Sequence, residues 1–144
     1  MKTFKIYLAG GMQNLSFEEQ NEWRERVRKE LEQEYYNGNI KYHLDIINPC
    51  RYYNFNECRY DSLTEVMRFD LHHVKTSDLI LVNFNDPQSI GTAMEIATCY
   101  ERGIPVIGFC DNEKCLHSWL MCASEKILDT EEDAIKYVVD FYLS

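Results

Sequence analysis

Apolar and polar residues alternate along this chain in two rhythms. Short β-branched and aromatic runs at 4–9 (FKIYLA), 45–48, 79–84 (LILVNF) and 105–109 read as strands. The third is apolar almost throughout, as a strand covered on both faces requires. Between and after them come segments with helical spacing, over 16–35, 62–76, 91–102 and 131–142. Phe17, Trp23, Val27 and Leu31 form the apolar stripe of the first helix, and Ala134, Ile135, Val138 and Val139 that of the last. Gly10-Gly11 ends the first strand, Pro49 the second, and Gly103 closes the third helix. Ser16 with Glu19, and Ser62 with Glu65, are capping boxes at two helix starts; Thr92 with Glu95 has the same spacing. Residues 54–61 read as polar loop, and a further short strand falls somewhere within 115–127. The order β-α-β-α-β-α-β, then a mixed segment, then α, predicts an α/β fold: a doubly wound, mostly parallel sheet with helices on both faces. With 144 residues and no linker or repeat, residues 1–144 are expected to form a single domain.

Composition narrows the function. The 45% apolar content can fill one core. A net charge of −9 repels a polyanion, so extended nucleic-acid binding is not expected, whereas one small phosphorylated ligand is compatible with it. No stretch approaches the roughly 20 apolar residues of a membrane span, and the N-terminus has no leader pattern. The six cysteines include no C-x-x-C pair and no metal-ligand spacing, which predicts reduced thiols and a cytoplasmic location.

In an open parallel sheet, ligands bind beyond the carboxyl ends of the strands. Two of those ends are distinctive: the Gly10-Gly11-Met12 turn, and the polar loop 83–90 that feeds the third helix. Glycine permits close approach to backbone, and a helix start favours anions. Glu95 falls in the first turn of that helix on this reading, where the dipole favours its ionised form. The pattern alone leaves two roles for it, closure of the Thr92 capping box or attack on an electron-poor carbon. Asp70 lies three residues past Met67 and four before Val74, on the apolar face of the helix over 62–76. A carboxylate on a core-facing side needs a partner or a function, and desolvation would make it a proton donor. Two carboxylates in different environments suit glycosidic chemistry. Asn83 and Asp86 are candidates for sugar hydroxyls, with loop capping as the alternative; Tyr52, Tyr53 and Phe55 either stack on a base or cover a loop.

These residues resemble the nucleoside 2-deoxyribosyltransferases. The likeness rests on Ile6-Tyr7-Leu8-Ala9-Gly10-Gly11, Asp70-Leu71, Ser77-Asp78, and Gly91-Thr92-Ala93-Met94-Glu95-Ile96 followed by Gly103-Ile104-Pro105-Val106-Ile107, in matching order across residues 4–109. The resemblance implies a flavodoxin-like fold and no metal or cofactor. It implies Glu95 as the nucleophile on C1′ of the sugar, Asp70 as the acid serving the departing base, and Tyr7 as the holder of the nucleophile. Gly10 and Gly11 would line the pocket floor, and Gly91 belongs to the substrate-binding motif. The glycosyl-enzyme would pass its sugar to a second base, giving transfer, or to water, giving hydrolysis. Family members commonly carry Asp six positions before the nucleophile; this chain has Ser89, as the related nucleoside 5′-monophosphate hydrolases do. Serine donates a hydrogen bond to a phosphate that an aspartate would repel. Its alternative is an ordinary helix cap. No arginine lies in the 10–16 loop to meet a phosphate; Arg24 and Arg51 are the nearest candidates. The family also implies a homodimer or larger oligomer, with a neighbouring subunit supplying a residue, here His117 or Ser118. The competing expectation is a nucleotide-sensing module of the same fold without chemistry. A flavin electron carrier is disfavoured, because residues 10–14 lack the Ser and Thr of a phosphate loop.

Overall fold

The fold is that of a computed structural model describing residues 1–52, 61–111 and 116–144. Tyr53, Phe55, Cys58 and Cys115, together with the loop expected at 54–61 except Asp61, lie outside the described residues. The strands are β1 (Thr3–Gly10), β2 (His43–Ile47), β3 (Leu79–Asn83), β4 (Val106–Phe109) and β5 (Lys126–Leu128). The helices are α1 (Phe17–Tyr36), α2 (Leu63–Lys75), α3 (Ile90–Arg102), α4 (Ser118–Ala123) and α5 (Glu131–Val138). A 3-10 turn at Pro49–Arg51 follows β2, and the last helix runs into a π turn at Val139–Leu143. The mixed segment of the sequence thus resolves into α4 and β5. Both are short, and the few apolar residues of α4 are exposed or half-buried, so neither gives a periodic signal.

The five strands form one sheet in the order β2-β1-β3-β4-β5, every pair parallel. The chain leaves β1 towards β2 and returns to the other side of β1 as β3. That reversal is the flavodoxin-like switch point, where a crevice opens beyond the strand ends. Alternation along β1 builds a core on each face. Ile6 and Leu8 pack with Trp23, Val27 and Leu31 of α1 and with α5, while Tyr7 and Ala9 pack with Val74 of α2 and with Ile96 and Cys99 of α3. α1 and α5 therefore cover one face, and α2 and α3 the other.

Helix starts follow local chemistry. Ser16 and Glu19 form the full reciprocal box. At α2, Ser62 accepts from the Glu65 amide, but the Glu65 carboxylate reaches the Asp61 amide instead of closing on Ser62. α3 ends on Gly103 in the left-handed region at φ 69°, a conformation that glycine adopts without a Cβ penalty.

Candidate functional site

Three elements bring the predicted carboxylates together. Tyr7 is fully buried in β1, three residues before the Gly10 turn, and its hydroxyl donates a hydrogen bond to the Glu95 carboxylate. Glu95 projects from α3; the residue is half-buried as a whole, while its carboxyl group is surrounded by protein. Asp70 of α2 is half-buried, and its charge acts on both Glu95 and Tyr7. The site lies between α2 and α3 over the carboxyl end of β1, beside the switch point.

Two expectations about these residues need correction. Glu95 does not close a capping box. α3 is capped by Ser89, whose hydroxyl accepts from the Thr92 amide and lies 2.9 Å from the Thr92 hydroxyl, so the first turn holds no acidic residue and Glu95 falls in the second turn. Its ionised form is also not favoured overall: its pKa is pushed up to about 7, chiefly by burial and in lesser part by the nearby Asp70, against the Tyr7 hydroxyl and the Arg24 charge, which act the other way. Desolvation outweighs the helix dipole here, because the dipole's effect fades beyond the first turn. Cys99, one turn on along α3, has its thiol pushed up to about 12 by burial and by Glu95.

Asp70 does face inward, together with part of the stripe expected. Val74 is buried and Val66 and Leu71 are half-buried, whereas Leu63 and Met67 are exposed. Phe69, Asp70 and His73 are half-buried beside Val66 and Val74, so aromatic and polar residues complete the inward side and hydropathy alone draws it too far towards Leu63 and Met67. Tyr52 stacks on His73 at 5.7 Å and lies 5.1 Å from the Phe69 ring, so it covers α2 rather than standing free for a base.

Around the switch point, Gly10 pairs with Asn83 across β1 and β3. Gly11, Asn83, Asn85, Asp86 and Trp23 line a cavity of about 200 Å³ on the α1 side of the strand ends. Gly11 must lack a side chain, since a Cβ would stand 2.2 Å from Asp86 Oδ2 and 2.7 Å from its Cβ. Gly11→Ala is therefore expected to displace Asp86 and to cost about 1–2 kcal/mol in urea unfolding. Asn83 Oδ1 accepts from the Asn85 amide, the loop-capping role. Gly91 is exposed at the start of α3, with nothing within 4 Å of where a Cβ would stand. Ser118 is exposed at the start of α4, and His117 lines a separate apolar groove between α3 and α4. Nothing places either of them against Glu95 within the chain.

The arginines considered for a phosphate are both engaged. Arg51 pairs with Glu25 in two-pronged fashion, at 2.7 and 3.0 Å. Arg24 is 1% exposed and spends its donors on the Leu8, Gly10 and Gln20 carbonyls. The sequence did carry a signal for this burial: Gln20, Trp23, Arg24, Val27 and Leu31 share the helical spacing of one inward face.

The comparisons with known proteins concern the family and the fold. A family model described as "Nucleoside 2-deoxyribosyltransferase like" matches residues 3–112. No curated protein matches the chain. Among solved structures, a 2-deoxyribosyltransferase from Bacillus psychrosaccharolyticus is 24% identical, with a TM-score of 0.64 over 92% of this chain and 91% of its own. The 2-deoxyribosyltransferase of Leishmania mexicana is 15% identical, with a TM-score of 0.61 over 97% and 99%. A CMP N-glycosidase from Clostridium botulinum is 17% identical, with a TM-score of 0.53 over 96% and 99%. At these identities the solved structures establish a shared fold.

Proposed function

The chain belongs to the nucleoside 2-deoxyribosyltransferase-like family, and from that premise we propose that it is an enzyme cleaving the N-glycosidic bond of a nucleoside or nucleoside 5′-monophosphate. The observation that carries this reading is the Glu95 carboxyl held by the Tyr7 hydroxyl within reach of Asp70's charge, at the sheet's switch point. As its anion, Glu95 attacks C1′; the C1′–N bond breaks as a C1′–O ester forms, and the bonding pair leaves with the base. Asp70 delivers a proton to that base. In a second displacement an acceptor base or water attacks C1′, the C1′–O ester breaks, the attacker's proton passes to Asp70, and Glu95 is freed with net retention. Gly10, Gly11, Asn83 and Asp86 shape the sugar side of the pocket. Ser89 and the backbone around Gly91, at the positive end of α3, receive the 5′ group. The residues named need no metal or cofactor for these steps. Residues 1–144 act as one domain in this reading, and the use of Cys50, Cys99 and Cys110 as buried core thiols suits a cytoplasmic location.

Self-association is part of the same proposal. The groove between α3 and α4, about 610 Å³, is lined largely by apolar groups that include Ile90, Tyr100, Trp119 and Leu120. Ile90, Tyr100 and Trp119 are each more than two-thirds exposed. An apolar surface of this kind marks an interaction site. We assign it to a second copy of the chain, with Ser118 beside it reaching the neighbouring pocket. Light scattering is expected to give a dimer or larger assembly for the native protein and monomer for Trp119→Glu; a native monomer would refute the assignment.

The deciding assay incubates the protein with a panel of nucleosides and 5′-monophosphates, with and without a free acceptor base. Chromatography reads free base as hydrolysis and exchanged nucleoside as transfer. Tight nucleotide binding with no product from any substrate would instead establish a sensor of the same fold.

A further inference from the structure

Ser89 does more than open α3. Its hydroxyl oxygen accepts from the Thr92 amide at 3.3 Å, and the Thr92 hydroxyl lies 2.9 Å from the same oxygen. By chemistry alone, either hydroxyl can donate across that second contact. Burial decides between them. Thr92 is 4% exposed, and among the described residues its hydroxyl has Ser89 as its one hydrogen-bond partner. Were Ser89 the donor, the Thr92 proton would be buried without an acceptor, which is costly. With Thr92 as the donor, no buried proton is orphaned. A serine oxygen has two lone pairs and one proton. The Thr92 amide and hydroxyl occupy the lone pairs, so the proton of the half-buried Ser89 is left for a partner outside the pair.

The backbone beside it has the same polarity. The Ile90 and Gly91 amides open the first turn of α3, and neither has an acceptor among the described residues. Nothing stands within 4 Å of where a Gly91 Cβ would be, so the space beside it is open. Ser89, Ile90 and Gly91 thus present three donors along one short stretch. Phosphate oxygens accept only, and a donor binds a charged acceptor more strongly than a neutral one. We propose that Thr92 is a positioning residue that holds the Ser89 hydroxyl as a donor and thereby sets a preference for a substrate whose 5′ end carries a phosphate. The inference rests on the proposed placement of the substrate's 5′ group at Ser89. It adds that the selecting hydroxyl is oriented by a buried neighbour.

The test uses sugars without a base, so that neither base choice nor turnover enters. Ribose 5-phosphate, ribose and their 2-deoxy counterparts are titrated into nitrogen-15-labelled native protein, Thr92→Val, Thr92→Ser and Ser89→Ala, and dissociation constants are read from amide shifts. The native protein is expected to bind each phosphate more tightly than its parent sugar. Thr92→Val keeps the side-chain shape and loses the hydroxyl, and should lower that preference about three- to tenfold. Thr92→Ser restores the donor and should keep the preference within about twofold of native. A merely structural loss would weaken phosphate and sugar alike and leave the preference unchanged. Should Thr92→Val not fold, Thr92→Ala carries the same expectation. If Ser89→Ala lowers the preference and the Thr92 variants without a hydroxyl do not, or if Thr92→Ser lowers it as far as they do, Thr92 has no such role and the placement of the 5′ group stands. If Ser89→Ala keeps the native preference, or the native protein has none, that placement fails and the role of Thr92 with it.

Discussion

Replacement of Glu95 by Gln is expected to do two opposite things: lower base release by about three orders of magnitude or more, and make the folded protein more stable at neutral and alkaline pH. The loss follows from nucleophilicity, because an amide cannot form the glycosyl ester. The gain follows from linkage. Burial holds the Glu95 pKa at about 7 against an ordinary 4.5. Between those values the folded state keeps a proton that the unfolded chain has released, so stability falls as pH rises through the window. The difference corresponds to about 3 kcal/mol once pH exceeds 7. Gln keeps an acceptor for the Tyr7 hydroxyl and removes the charge that opposes burial. Urea unfolding of both proteins should therefore coincide near pH 4 and diverge in favour of Glu95→Gln by pH 8. Coinciding curves at both pH values would show that Glu95 is not a strained carboxylate. Retained base release would show that it is not the nucleophile.

This opposition is what the proposed role of Glu95 requires, and a structural carboxylate differs from it. Glu25 is also an acid near the strand ends, but its pKa is lowered, chiefly by hydrogen bonds from Arg51. At Glu25 the cost of burial is outweighed by those hydrogen bonds. Glu95 sits where the protein penalises the charge it needs, and only Tyr7 and Arg24 offset the penalty. Strongly shifted groups in crevices are candidates for chemistry on that ground.

The sequence conveyed the architecture well because an α/β fold writes its two periods openly. The buried β3 read as a continuous apolar run, and the glycines at 10, 11 and 103 fell where turns and caps require them. It failed where local spacing admits two geometries. Thr92 and Glu95 have the separation of a capping box, yet Ser89 takes the cap, and a shift of three residues moves Glu95 from the first turn to the second. It failed again where burial is mixed in character. α2 turns Phe69, Asp70 and His73 inward beside Val66 and Val74, so the aliphatic pattern placed Asp70 on the correct side but wrongly included the exposed Leu63 and Met67. Arg24 was visible as a cation near a strand end, but its partners are carbonyls of β1, and those are exposed only because β2 stops at Ile47. Strand length on a neighbouring element is not readable at residue 24.

Tyr7→Phe isolates the second offsetting group and carries the clearest pH signature. Base release by the native enzyme should rise with pH through about 7 if, as proposed, the anion of Glu95 is the reactive form. The Tyr7 phenol does not itself titrate in that range, since burial and two nearby carboxylates hold its pKa well above 10. It acts as a constant donor, and a hydrogen bond to a charged acceptor is worth about 1.5–3 kcal/mol. Part of that value survives as differential stabilisation of the anion, so its removal should move the rising limb of kcat/KM upward by about one pH unit. The variant would then show about a tenfold deficit near pH 6 that narrows towards pH 9, where both enzymes carry Glu95 ionised. Phenylalanine keeps the ring packing against Ala9, Ile96 and Cys99, so the shift is not a consequence of a collapsed core. A uniform loss at every pH would mean that Tyr7 only fixes geometry. An unchanged profile would mean that its hydroxyl does not govern the ionisation of Glu95 at all.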